Sequence, residues 1–316
     1  MQINNLTISF GEKSIYKNFS LAVNDGQTLC IMGSSGSGKT TLLKAIAGLI
    51  DYEGTIEKNG NVGYVFQNYA LIPKISCEKN CLFVMNDNFK NNNNVVATQE
   101  DTENCVNKAN CKSQKNAKNC VDKTNCNNHQ NTCFFSKNSK FVCKIKQNIE
   151  KKKEILKNKK NIIADIFAKL AITDCLNKLP THISGGEASR VSMARALCSG
   201  AEILLLDEPF RGLDIANKFK ALSLFMAIAK SQHKTVVFVS HDIDDCLRFG
   251  DKVVVIKRID NDGIQIVGDF DISQDKSGTN AERQLTNQTL QFSDNAVGQS
   301  LQGIKDKIFE LLTNNQ

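Results

Sequence analysis

Two groups of residues in this 316-residue chain carry chemistry in their types and spacing. The first is Gly33-Ser34-Ser35-Gly36-Ser37-Gly38-Lys39-Thr40, followed by Thr41, which fills every position of the phosphate-loop pattern G-x-x-x-x-G-K-[ST]. Glycines let the backbone turn so that successive N–H groups face an anion, and a following helix adds its positive end. Lys39 can then reach β- and γ-phosphates, and the Thr40 hydroxyl is placed to ligate Mg²⁺. Charge-assisted hydrogen bonds of this kind contribute roughly 1.5–3 kcal/mol each, so several together make a tight nucleotide site. The second group is Asp207-Glu208, which closes the apolar run from Ile203 to Leu206. Asp207 suits Mg²⁺ coordination, directly or through water, and Glu208 suits polarising an attacking water. Unpaired buried charge is costly, so such a pair at the end of a core strand has little purely structural use.

Particular elements must position these groups. Leu29 to Met32 is an apolar run suited to a buried parallel strand, and a helix is expected from Lys39 to about residue 49. Strands are expected at 2–8 and 18–23 around Phe10-Gly11, with Asn24-Asp25-Gly26 turning into the phosphate-loop strand. A strand over Val62, Tyr64, Val65 and Phe66 delivers Gln67 to its end, and Thr235–Ser240 is a buried strand that delivers His241. On their own, a glutamine or a histidine at a strand end is weak evidence of function. Strands at 252–257 and 264–267 complete the core, a polar stretch covers 271–300, and a short amphipathic helix is expected at 301–312.

Composition sets limits. The longest apolar run, Ala221 to Ala229, is about half of the ~18–20 residues needed to cross a bilayer, and the start MQINNLTISF lacks the pattern of a signal peptide. A cytoplasmic protein with peripheral membrane contact is the expectation. The net charge of +7 conceals a division: residues 86–160 hold 16 Lys against 7 acidic residues, a net of +9, which leaves −2 for the rest. Outside that segment there is no electrostatic case for DNA or RNA, and no nucleic-acid partner is expected. Of the 12 cysteines, six lie between Cys105 and Cys143, while Cys30, Cys198 and Cys246 sit in or beside apolar runs, as small buried hydrophobes do in a reducing compartment.

Residues 86–160 interrupt the pattern. They contain 18 Asn in 75 residues, and Asn104–Cys111 (NCVNKANC) recurs as Asn119–Cys126 (NCVDKTNC). So little apolar surface cannot offset ordering entropy, and disorder up to about residue 145 is the expectation. The cysteines and His129 offer soft metal ligands, yet C-x₅-C is not the C-x₂₋₄-C spacing of structural zinc sites. From about Lys146, Ile149, Leu156, Ile163, Phe167 and Leu170 fall on one helical stripe, expected to pack back on the core.

In order along the chain, the phosphate loop, Gln67, Ile183-Ser184-Gly185-Gly186-Glu187, ILLLDEP, Gly212-Leu213-Asp214 and His241 resemble the motifs of an ATP-binding cassette (ABC) transporter ATPase. The resemblance covers residues 1–85 and 162–270. VFQNYALIP, DEPFRGLD and IQIVGDFDI look most like the nitrate/sulfonate/taurine importer type. Glu187 and Ile183 depart mildly from the family's LSGGQ. The implied fold is α/β, a P-loop NTPase cassette with a mostly parallel core sheet, an antiparallel N-terminal β subdomain and a helical signature subdomain. Residues 1–270 make the ATPase domain, interrupted by 86–160, and 271–316 a polar tail.

The resemblance implies roles. Phe10 stands where an aromatic stacks on adenine, with Tyr16 a competitor. Gln67 and His241 join Glu208 in catalysis, and Thr40, Gln67 and Asp207 hold Mg²⁺. Ser184, Gly185 and Gly186 serve the ATP held by the other copy, in a homodimer or a heterodimer with a second ABC subunit. Membrane permease subunits, touched near Leu71-Ile72-Pro73, and a periplasmic or extracellular substrate-binding protein complete the implied importer, on the cytoplasmic face of the membrane. Two rival readings, a DNA-repair or chromosome-maintenance ATPase and a translation-type ABC protein, call for a long coiled coil and for two cassettes respectively; 86–145 has no heptads, and there is one cassette.

Overall fold

Four short runs in this chain are apolar without alternation, which is the pattern of strands covered on both faces. The computed structural model describes residues 1–11, 13–85, 135–209, 215–259, 263–272 and 296–313, and all four runs are strands in it. In chain order the elements are β1 (Gln2–Phe10), β2 (Lys13–Ala22), β3 (Thr28–Met32), α1 (Lys39–Ile46), β4 (Glu53–Glu57), β5 (Val62–Val65), α2 (Cys77–Val84), α3 (Phe135–Lys169), α4 (Gly185–Cys198), β6 (Ile203–Asp207), α5 (Ile215–Ser231), β7 (Thr235–Val239), α6 (Ile243–Phe249), β8 (Lys252–Ile259), β9 (Gly263–Asp271) and α7 (Ala296–Thr313). Among the described residues they build one mixed sheet in the order β4-β1-β2-β9-β8-β3-β7-β6-β5.

The sheet has two characters. From β8 through β3, β7 and β6 to β5 every pairing is parallel. At the other end β1 pairs antiparallel with β2 and β4, and β9 antiparallel with β8. Alternate residues of the central strands enter different cores. Cys30, Met32, Leu204, Leu206, Val236 and Phe238 face one core, with the inward sides of α2, α4, α5 and α6. Leu29, Ile31, Leu205, Val237 and Val254 face the other, with α1 and the β1–β2 hairpin. Burying each such side chain stabilises the fold by roughly 1.5–3 kcal/mol, which is why these strands tolerate no polar residue until their ends. The parallel strands therefore carry their polar groups at the carboxyl ends, where α/β sheets place ligands.

Several boundaries differ from those expected. Helix α3 begins at Phe135, ahead of residue 146, and α7 begins at Ala296 rather than near 301. Residues 1–89 with 159–316 form one compact unit and residues 90–158 another. Within the first, Ile163, Phe167 and Leu170 are buried as the helical stripe requires; within the second, Ile149 and Leu156 are each 46% exposed. The duplicated segment at 104–126 lies outside the described residues. Cys30 and Cys198 are buried as expected, but Cys30 on β3 and Cys246 on α6 are joined by a disulfide with Cα atoms 5.5 Å apart. Both side chains fall in the same core, and spacing along the chain could not reveal that juxtaposition. Among the described residues no helix is long and apolar enough to cross a membrane.

Candidate active site

The loop between β3 and α1 is shaped by its glycines and anchored by its lysine. Gly38 has φ +81° and a Cβ there would lie 2.2 Å from the Ile264 side chain, while a Cβ on Gly33 would lie 2.6 Å from the Ile256 carbonyl oxygen. Only glycine fits either place without shifting the core. Lys39 Nζ donates to the carbonyl oxygens of Gly33 and Ser34, both at 2.8 Å, and to Ser37 Oγ at 3.3 Å. Burial pushes the Lys39 ammonium pKa below its ordinary value, opposed by the charges of Glu208 and then Asp207. Ser34, Ser35 and Gly36 are exposed at the loop tip, Ser37 is buried, and Thr41 lies in the first turn of α1. Tyr16 is fully buried and its hydroxyl donates to the Gly38 carbonyl at 3.1 Å, whereas Phe10 is 54% exposed. Tyr16 thus braces the loop from below, and Phe10 is the aromatic that presents a face to solvent.

Across from Lys39, the carboxyl end of β6 gathers the remaining polar groups. Asp207 is 3% exposed. Its Oδ1 accepts from Thr40 Oγ1 at 2.9 Å and its Oδ2 from the Tyr64 hydroxyl at 3.1 Å. Glu208 follows at φ +44°, a left-handed conformation that costs a non-glycine residue about 1 kcal/mol and turns its carboxylate away from the strand line. Its two oxygens divide between elements: Oε1 is 3.2 Å from His241 Nδ1 after β7, and Oε2 accepts from Gln67 Nε2 at 3.2 Å after β5. Burial first, then the charge of Asp207 and its hydrogen bond, raise the Tyr64 hydroxyl pKa far above its usual value. Tyr64 stays a hydrogen-bond donor.

The loop after Gln67 is fixed by α4. Tyr69 and Ala70 are both left-handed, at φ +61° and +46°. Arg195 donates from one guanidinium nitrogen to the Ala70 carbonyl at 2.6 Å and from the other to that of Tyr69 at 2.9 Å, and Ser192 Oγ adds a third bond to Tyr69 at 3.1 Å. Downstream, buried Asn80 accepts from the Ile72 N–H at 2.8 Å and donates to the carbonyls of Ile72, Ile75 and Ser76. At the other end of α4, Ser184 is the N-cap in a capping box. The Glu187 N–H donates to Ser184 Oγ at 3.3 Å, and Glu187 Oε2 accepts from both the N–H and the hydroxyl of Ser184 at 2.8 Å.

The model of the family described as "ABC transporter" matches residues 16–211. The chain belongs to this family. The sulfate/thiosulfate import ATP-binding protein CysA of a Synechocystis species is 27% identical over 268 residues, 81% of this chain and 58% of the relative. The aliphatic sulfonates import ATP-binding protein SsuB of Corynebacterium glutamicum is 25% identical over 255 residues, 80% of this chain and 79% of the relative. This chain therefore spans little more than half the length of CysA. Among solved structures, the dimeric bacterial ABC transporter cassette MJ0796 shares the fold with a TM-score of 0.55 at 23% identity, covering 86% of this chain and 98% of that one.

In this ABC cassette, Lys39, Thr40, Gln67, Asp207, Glu208 and His241 are brought to one place. Ser184, Gly185 and Gly186 are not hydrogen-bonded to that group among the described residues; Ser184 turns to its own helix, and Gly185 lies near the Tyr69 hydroxyl. Gly212-Leu213-Asp214 lies outside the described residues. Three residues of the site escaped the sequence reading: Tyr64 on Asp207, and Arg195 with Ser192 on the loop after Gln67. An arginine in the last turn of a helix carries no local signal of a distant carbonyl partner. Tyr64 left a faint one, a polar-tipped aromatic in an otherwise apolar strand.

Proposed function

We propose that the chain is the ATP-hydrolysing subunit of an importer, acting as a dimer with separate membrane subunits. The observation that carries this reading is the convergence of Thr40, Asp207, Glu208, Gln67 and His241 opposite Lys39. Mg²⁺ favours oxygen donors in octahedral geometry and keeps several waters. The Thr40 hydroxyl, the Asp207 carboxylate and the Gln67 carboxamide suit such an ion, and Thr40 and Asp207 already lie within 2.9 Å of one another. When bound, Mg²⁺ neutralises charge on the β- and γ-phosphate oxygens.

The chain's own residues supply the rest. The turned backbone over Gly33–Thr41 and the Lys39 ammonium bind the phosphates, and Phe10 stacks on the adenine. Glu208 takes the proton of the attacking water, and His241, whose Nδ1 lies 3.2 Å from Glu208 Oε1, orients that carboxylate and serves the γ-phosphate. Ser184, Gly185 and Gly186 close over the ATP of the partner copy, using the N-terminal end of α4. The relatives being import ATP-binding proteins supports import, and the sulfonate importer among them agrees with the motif resemblance. A substrate-binding protein and permease subunits follow from that reading, with the chain peripheral on the cytoplasmic face.

Mixing Lys39→Ala and Ser184→Arg subunits tests the composite site. Each homodimer is expected to be inactive, while the mixed dimer contains one site with both halves intact and regains ATPase activity. Absence of regained activity where heterodimers demonstrably form refutes the shared site.

A further inference from the structure

The C-terminal helix α7 lies beyond the stretch matched to the family, yet it is docked on the cassette core. Leu301 and Ile308 are buried, and Ile304, Leu311 and Leu312 pack against the same cluster. Its polar side has a definite target. Lys305 Nζ lies 2.5 Å from Asp244 Oδ1, with about a quarter of each side chain exposed (24% and 27%). Asp244 is in the first turn of α6, and α6 starts two residues after His241.

The segment between is held at Asp242 and Asp244. The Asp242 N–H donates to Ser240 Oγ at 3.0 Å, and the Asp244 N–H donates to Asp242 Oδ1 at 3.0 Å. Lys218 of α5 bridges Asp242 and Asp245. Three carboxylates thus crowd one turn, and two lysines from different helices neutralise them. Desolvation raises the Asp245 carboxyl pKa and the charge of Asp242 adds to that, with Lys218 pulling the other way. His241 itself is 63% exposed, so its place is set by the backbone of this turn more than by packing of its ring.

We propose that Lys305 is a positioning residue for hydrolysis: through Asp244 it holds the start of α6 and so the backbone that presents His241 to Glu208. The C-terminal helix is then part of the hydrolytic apparatus. This rests on the reading of His241 given under the proposed function, and the test separates the two.

Lys305→Met, Lys305→Arg and Asp244→Asn are made in the full-length protein, with Lys305→Met also combined with His241→Ala. A small displacement of a reacting group costs a large factor, so Lys305→Met and Asp244→Asn are each expected to lower kcat by about tenfold while KM for ATP stays within about twofold. Lys305→Arg restores most of the turnover. On the His241→Ala background, Lys305→Met adds less than about a twofold loss, because the two residues act on one step. A tenfold loss of equal size on both backgrounds makes Lys305 a general structural brace and overturns the proposal. So does wild-type kcat in Lys305→Met when His241→Ala is impaired. If His241→Ala itself turns over like wild type, the reading of the histidine fails, and the positioning role falls with it.

Discussion

The two halves proposed for the site of this cassette are built in opposite ways. Around the phosphate loop, Lys39 is held within its own loop, but Thr40, Tyr64 and Gln67 find their partners far along the chain: Thr40 and Asp207 are 167 residues apart, Tyr64 and Asp207 143, Gln67 and Glu208 141. At the signature helix, the Ser184 hydroxyl is satisfied by Glu187, three residues away. The first half is held by the sheet, because neighbouring parallel strands deliver their carboxyl ends to one line. The second is held mainly within a single helix turn, with Cys175 Sγ, 12 residues before Glu187, adding a bond to its other carboxylate oxygen. A half-site that forms locally can be presented to another molecule as a unit, whereas one assembled from four strands must complete its fold before it can act. The loop from Gln67 to Ala70 joins them, leaving the first half and being gripped by Arg195 of α4.

That contrast can be broken at its strongest point with Glu208. General-base catalysis typically contributes ~10²–10⁴-fold, so Glu208→Gln is expected to lose ATPase turnover by about that factor while still binding ATP and accumulating as an ATP-bound dimer. Retained turnover in a steady-state assay ends the assignment of Glu208 as base. Next in size is the link between the halves. Arg195→Ala removes two charge-assisted hydrogen bonds from left-handed residues and is expected to cost about 1.5–3 kcal/mol in denaturant unfolding. A loss below about 0.5 kcal/mol would show that the loop holds its own shape and that the halves are not joined through it.

Tyr64→Phe is a milder probe of the sheet-built half. It removes one hydrogen bond to Asp207 without changing ring packing, and is expected to cost about 1 kcal/mol and to weaken Mg²⁺-dependent nucleotide binding severalfold in calorimetric titration. Binding unchanged from wild type would mean that Thr40 alone orients the Asp207 carboxylate.

The smallest effect belongs to the locally built half. The Ser184 N–H, and after it the Ser184 hydroxyl, hold the Glu187 carboxyl pKa below its ordinary value of 4.5. A depressed carboxyl contributes stability that is complete above the unfolded value and is lost as pH falls through the lower folded value. Comparing thermal unfolding of wild type and Glu187→Gln from pH 6 down to about 3, the difference between the two curves is expected to shrink as the wild-type carboxylate protonates. A difference independent of pH would leave the capping box without its charged component.

Much of this was legible from the chain alone. The phosphate loop, the acidic pair after Ile203–Leu206 and the strand before His241 are short patterns whose physics is local, because an apolar run followed by a polar terminus already describes a buried strand ending at a site. The capping-box spacing of Ser184 and Glu187 is equally local, yet in the sequence Glu187 stands out only as a departure from LSGGQ. Other assignments waited for the fold. Phe10 and Tyr16 are interchangeable by type and neighbourhood; the β1–β2 register placed Tyr16 beneath Gly38 and left Phe10 outside. Cys30 and Cys246 read as two unrelated small hydrophobes until α6 packed over β3. The tail after residue 271 was silent because Lys305 and Asp244 are 61 residues apart, and only docking of an apolar helix face brings them together. Periodicity records which side of an element is buried, but the identity of what it is buried against depends on strand order and helix placement, and these arise only when distant segments compete for the same core.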